Sequence, residues 1–187
     1  MFHLRPYQEY AICMAAAKIS AGCRSLILVS PTGSGKTVIG SHIILKAIIK
    51  GNQTLFLAHR KELVDQCSKK LAALSLPHGI IMAGHSYDSL APVQVASLQT
   101  ANRRELPAGF RLIIIDECHH AAAESYKRIL EQFPDAVVIG LTATPYRADG
   151  EGLGDVFQDW VRVATIQDLT DKGFLVPCRY WSPGLPQ

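Results

Sequence analysis

Ser25-Leu-Ile-Leu-Val29 runs directly into Ser30-Pro-Thr-Gly-Ser-Gly-Lys-Thr37, and the order of these two pieces decides the fold. The first is a continuous apolar run, which suits a strand covered on both faces. From Lys36 to Lys50 the chain has helical length and no proline. A strand, a glycine-rich turn and a helix together are the context that a phosphate-binding loop requires. Gly33 and Gly35 let the backbone wrap with its N–H groups pointing inward, and the helix start adds its positive dipole end. Pro31, Thr32 and Ser34 complete the loop. Lys36 is placed to reach the β- and γ-phosphates of a nucleotide, and the Thr37 hydroxyl to ligate Mg²⁺. The strict pattern begins with Gly, where this chain has Ser30.

Outward from this stretch, β-rich and helix-patterned runs alternate. Thr54-Leu-Phe-Leu-Ala58 predicts a strand. Arg60 to Leu74 predicts a helix, with Leu63, Val64, Cys67, Leu71 and Leu74 at helical spacing. Apolar runs follow at Ile80 to Met82, Val93 to Ala96, Leu112 to Ile115 and Ala136 to Leu141, with a helical stretch near 123–132. The expected fold is α/β, a mostly parallel sheet with helices on both faces. From Asp149 the pattern weakens: Gly150, Gly152 and Gly154 predict a flexible connection, and a helix-like run from Ile166 to Lys172 ends at Gly173. Residues 1–177 are expected to form one domain, with 178–187 a connector.

The chain has 187 residues, 48% of them hydrophobic and 19% charged, enough for one self-sufficient core. No apolar run approaches the ~20 residues of a membrane span. The first residues lack a basic segment followed by an apolar one, so a cytoplasmic protein with no membrane contact is expected. Cys13, Cys23, Cys67, Cys118 and Cys178 form no Cys-x-x-Cys pair and read as reduced thiols. The net charge of +3 permits a polyanionic partner without demanding one.

The run Leu112-Ile-Ile-Ile-Asp-Glu117 ends an apolar strand in two adjacent carboxylates. In a parallel sheet such an acid faces the same crevice as the phosphate loop. Asp116 is the candidate to hold Mg²⁺, directly or through a water, and Glu117 the candidate to polarise an attacking water. A water-activating acid favours hydrolysis over phosphoryl transfer. Cys118-His119-His120 invites a zinc reading, but three consecutive residues cannot all face one ion and no second Cys/His cluster completes four ligands.

Together these stretches resemble a known family. Asp116-Glu-Cys-His119 resembles the DEAH/DExH box, and Ser30 to Thr37 is similar to motif I of superfamily 2 helicases, which accepts Ala or Ser at its first position. Leu141-Thr-Ala-Thr-Pro-Tyr-Arg147 resembles their motif III. Leu4-Arg-Pro-Tyr-Gln8 is similar to the opening motif of the DNA-directed branch that includes type III restriction R subunits, XPB-like translocases and RadD-type helicases. The resemblance implies a RecA-like P-loop NTPase lobe that uses ATP and Mg²⁺.

It also implies roles. Gln8 would read the adenine edge with Arg5 packing nearby. His59 and Arg60, in Ala58-His-Arg-Lys-Glu-Leu63, and Ser97, Gln99 and Thr100, in Val95-Ala-Ser-Leu-Gln-Thr100, would touch the nucleic-acid backbone. As simple helix caps Ser97 and Thr100 have an equally local explanation. Thr142, Thr144 and His119 would couple the box to the nucleic-acid face, with Arg147 a substrate, interlobe or free surface residue. The implied partners are DNA in preference to RNA, and a second RecA-like lobe beyond this chain that supplies arginine fingers. By itself the chain is expected to bind ATP–Mg²⁺ weakly and hydrolyse it slowly. A nucleotide-dependent interaction module without motor activity, or an RNA-directed lobe, remains an alternative on these residues.

Overall fold

The computed structural model describes residues 3–85, 88–120, 123–144 and 153–177. Its elements in chain order are α1 (Pro6–Ser20), β1 (Ser25–Val29), α2 (Lys36–Ile49), β2 (Gln53–Ala58), α3 (Lys61–Ala73), β3 (His78–Ile81), β4 (Val93–Ser97), α4 (Leu98–Ala101), β5 (Phe110–Asp116), α5 (Ala123–Leu130), β6 (Val137–Thr142), β7 (Asp159–Arg162) and α6 (Ile166–Asp171). The seven strands lie in the order β3-β4-β2-β5-β6-β1-β7. Every pairing between them is parallel.

The inner strands are buried on both faces, which is why they read as unbroken apolar runs. Along β1, Leu26 and Leu28 point into a core shared with α1, α2 and α3, while Ile27 and Val29 point into the opposite core with Tyr126 and Ile129 of α5. Helix α3 buries Val64, Cys67 and Leu71 on the face its spacing predicts. Burial pushes the Cys67 thiol up and leaves it inert. Cys13, Cys23 and Cys118 likewise form no disulfide.

Sequence and structure part company in the final third of the chain. Strand β7, which pairs with β1 from Leu26↔Asp159 to Val29↔Arg162, falls where the hydrophobic pattern weakens. It has four residues, of which only Val161 is buried, so the period-2 signal is one residue deep. Lys18 of α1 forms an ion pair with Asp159 and ties this edge down. Gly154 sits in a short 3₁₀ turn, Leu153–Asp155; Gly150, Gly152 and the connector 178–187 lie outside the described residues. Among the described residues no helix is long and apolar enough to cross a membrane.

Parallel pairing sends the C-terminal end of every strand to one edge. Val29 sits opposite Thr142, and Asp116 opposite Leu141, so the ends of β1 and β5 flank the end of β6. That register gathers the loops after β1, β2, β4, β5 and β6 along a single crevice.

Candidate active site

The phosphate loop leaves β1 at Ser30, whose N–H donates to the Thr142 carbonyl at 2.9 Å and prolongs the β1–β6 pairing by one residue. Where the common pattern has Gly, the Ser30 hydroxyl donates to the Ser34 hydroxyl at 2.7 Å, with both residues fully buried. The serine therefore braces the loop from inside. Gly35 caps α2 in the left-handed region, at φ +83°, and a Cβ on it would lie 2.7 Å from Gln8 Nε2. Only glycine meets both demands.

Helix α1 holds the loop from outside. The Tyr7 hydroxyl donates to the Ser34 carbonyl at 2.7 Å, and Gln8 Nε2 donates to the same oxygen at 3.0 Å. Gln8 Oε1 accepts the Arg5 N–H at 3.0 Å. Both ends of the buried Gln8 amide are thus engaged within the protein, linking the start of α1 to the loop. The Arg5 guanidinium lies 4.9 Å from the Phe174 ring centre and donates to the Tyr7 hydroxyl at 3.3 Å. Leu175 Cδ2 lies 3.1 Å from where a Gly33 Cβ would stand. Tyr7, Phe174 and Leu175 therefore join the site although no sequence motif assigns them a role. Phe174 and Leu175 are more than 130 residues downstream in the chain, and nothing local marks an aromatic after a helix stop as a neighbour of the phosphate loop.

Across the crevice, Lys36 Nζ lies 3.2 Å from Glu117 Oε1 and 3.5 Å from the Ser30 carbonyl. Asp116 is 2% exposed. Burial, reinforced by the Glu117 carboxylate, pushes its carboxyl up from 3.8 to about 6, against the smaller pull of Lys36 and of the Glu117 N–H at 3.0 Å. Glu117 sits at φ +48°, rare for a residue with a side chain, and its buried Oε2 has no hydrogen-bond partner. A buried Asp116 beside a half-buried Glu117, with one lysine between them and the loop, lacks positive charge. Thr37 and Asp116 are hard oxygen donors of the kind Mg²⁺ takes, so the donor set fits that ion.

Because the folded pKa of Asp116 is raised, the folded chain holds more protons than the unfolded one between about pH 4 and 6, and stability from this group falls as pH rises through that window. Asp116→Asn is expected to raise the stability of the unliganded protein at neutral pH by about 1–3 kcal/mol, with the gain vanishing below about pH 4. Thermal unfolding of both proteins across pH measures it, and a gain independent of pH would overturn the account.

His119 links the acids to β6. The Thr144 N–H donates to Thr142 Oγ1 at 3.1 Å, and the Thr142 hydroxyl donates to the Thr144 carbonyl at 2.7 Å. The 2.7 Å contact between Thr142 Oγ1 and His119 Nδ1 is then made by an Nδ1–H. Burial and the neighbouring His120 hold His119 below the ordinary histidine value, so the ring is neutral at pH 7. The same nitrogen lies 3.5 Å from Glu117 Oε2. Arg147 lies outside the described residues.

The remaining predicted residues share the crevice edge. His59 follows β2, and Arg60 is the exposed residue that precedes α3. Gln99 Nε2 donates to the His59 carbonyl at 3.1 Å and joins the loops after β2 and β4. Ser97 and Thr100 do what a helix cap requires: Ser97 Oγ accepts the Thr100 N–H at 3.2 Å and donates to the Thr100 hydroxyl at 2.8 Å. Pro31 and Thr32 stand at the open side of the loop, Thr32 exposed.

A parallel sheet with this loop after one strand and an Asp-Glu pair ending another strand two places away defines an ATP-binding lobe of RecA type. Residues 1–147 match the family described as Type III restriction enzyme, res subunit, and the chain belongs to that family. It is 39% identical over 189 residues to the protein of Schizosaccharomyces pombe named as the mitochondrial ATP-dependent helicase irc3, a match covering 92% of this chain and 31% of that protein. It is 34% identical to the type I restriction enzyme EcoAI endonuclease subunit of Escherichia coli, over 92% of this chain and 23% of that one. The crystal structure of the UvsW helicase from Bacteriophage T4 has the same fold, with a TM-score of 0.74 at 20% identity over 86% of this chain and 60% of that chain. The chain thus spans about a third or less of the length of the curated relatives it matches.

Proposed function

We propose that this chain is the ATP-binding lobe of a cytoplasmic DNA helicase or translocase that hydrolyses ATP with Mg²⁺ to drive movement along nucleic acid. The observation that carries the reading is the pairing of Lys36 with Glu117 at 3.2 Å, beside a phosphate loop already braced by Ser30, Tyr7 and Gln8. When a triphosphate enters, Lys36 turns from Glu117 to the phosphate oxygens. The departure frees Glu117 Oε1 to accept a proton from the attacking water, with His119 beside the buried Oε2. Mg²⁺, held by Thr37 and Asp116, would supply charge neutralisation at the phosphates. Arg5 and Gln8 would stand on the adenine side; with Oε1 accepting from Arg5 and Nε2 donating to Ser34, Gln8 would read the base through its second amide hydrogen and remaining lone pair. Loop N–H groups held in place before ATP arrives need little reorganisation in the transition state.

DNA as the substrate is supported by a relative named as a DNA 3'-5' translocase, although another is named as an RNA helicase. His59, Arg60 and Gln99 line the edge where a backbone would run, with Ser97 and Thr100 shaping it. A second RecA-like lobe, reached through residues 178–187, would supply the arginine that completes the site, a contribution worth about 10³–10⁵ in rate in related NTPases. ATP hydrolysis by the full-length protein, measured with duplex DNA, single-stranded DNA and RNA, tests the reading. Turnover is expected to rise with DNA and not with RNA, and equal stimulation by RNA would remove the DNA assignment.

A further inference from the structure

Three histidine rings connect the water-activating carboxylate with the predicted nucleic-acid edge. The His119 and His120 ring centres are 3.9 Å apart, and those of His120 and His59 are 6.0 Å apart and nearly parallel, at 26°. Strands β2 and β5 are neighbours, so the loops that follow them carry His59 and His120 face to face. One end of the series is His119, 3.5 Å from Glu117 Oε2 and 2.7 Å from Thr142 Oγ1. The other is His59, whose carbonyl is clamped by Gln99 and whose buried Nδ1 has no partner.

We infer that His120 is a positioning residue, the middle member of a ring stack that carries contact at the edge after β2 to Glu117 and so sets how strongly nucleic acid stimulates hydrolysis. This rests on the proposed reading that His59 and Arg60 meet the nucleic-acid backbone. The clamp fixes the His59 carbonyl and not its ring, and a turn of the ring would relieve the buried, unpartnered Nδ1. Ring centres 3.9 Å apart place His120 against His119, so a His120 ring pushed inward displaces His119. His119 in turn faces Oε2 of Glu117, and Glu117 has two arrangements to choose between: held by Lys36, or released to water. The backbone N–H of His120 also donates to the Glu117 carbonyl at 3.0 Å, which anchors the stack to the left-handed residue it positions.

The test uses the full-length protein with His120→Ala, which removes the ring, and His120→Phe, which keeps a flat ring without nitrogens. His120 is exposed, so neither change opens the core. His120→Ala is expected to lose about tenfold in the ratio of the rates with and without DNA, a usual size for coupling between sites, while its DNA affinity stays as in the parent. His120→Phe is expected to keep the stimulation. Full stimulation in His120→Ala, or a Phe variant as defective as the Ala variant, would overturn the stack. Arg60→Ala separates the two levels: weakened DNA affinity supports the edge assignment, whereas unchanged affinity removes that assignment and the stack's role with it.

Discussion

Glu117→Gln is expected to bind ATP as the parent does and to turn it over about 10²–10⁴-fold more slowly, the usual contribution of a positioned proton acceptor. Glutamine keeps the shape of the side chain and the same backbone position, so the left-handed conformation at residue 117 is not relieved and the loop geometry is unchanged. What disappears is the basicity of the carboxylate, whose buried Oε2 has no hydrogen-bond partner. The neutral amide also holds Lys36 less firmly than the carboxylate does at 3.2 Å, so nucleotide affinity should not fall. Single-turnover hydrolysis and equilibrium binding of a fluorescent ATP analogue separate the two steps. Normal turnover in this variant would mean that another group activates the water.

Lys36→Ala is expected to lose both steps. Its ammonium is the one cation between the phosphate loop and the Asp116–Glu117 pair among the described residues. Removing such a preorganised group costs about 10²–10³ in turnover, and the loss of ground-state phosphate binding adds to it. It also leaves two adjacent carboxylates without their counter-charge, at a stability cost of about 1–3 kcal/mol at neutral pH. The same binding assay distinguishes the variants, since affinity is lost in Lys36→Ala and kept in Glu117→Gln. Retained affinity in Lys36→Ala would show that the loop N–H groups alone hold the phosphates.

The opposed outcomes follow from one contact that serves two states. In the unliganded protein the lysine and the glutamate neutralise each other, so neither acts on solvent. On the proposed function, a triphosphate would compete for the lysine and in doing so uncover the base. Asp116 contributes differently: its buried carboxyl is disfavoured until a cation arrives, which is why its replacement by Asn is expected to stabilise the same protein that it disables.

Much of this site is legible in the residues themselves. A buried strand followed by Gly-x-Gly-Lys-Thr needs only local geometry, because left-handed glycines and a helix start are properties of a few consecutive residues. The acid pair that follows Leu112–Ile115 can likewise be placed, because in a parallel sheet every strand end opens on the same edge. Ser30 stands out as a departure from the usual glycine, but its bond to Ser34 does not. Strand β7 escapes notice because four residues on an exposed edge carry almost no periodic signal. Gln8 marks a different limit: its residue type points to the nucleotide, and only the fold reveals that both ends of its amide are occupied, by Arg5 and Ser34.

Residue order alone is thus enough for the class of fold, the phosphate loop and the two acids, since each depends on residue type within a short window. It took the folded chain to press Tyr7, Phe174 and Leu175 on that loop, to rest Lys36 on Glu117, and to stack three histidines from two loops. Those contacts depend on strand order and register, which bring distant residues within a few ångströms, and no local pattern encodes such distances.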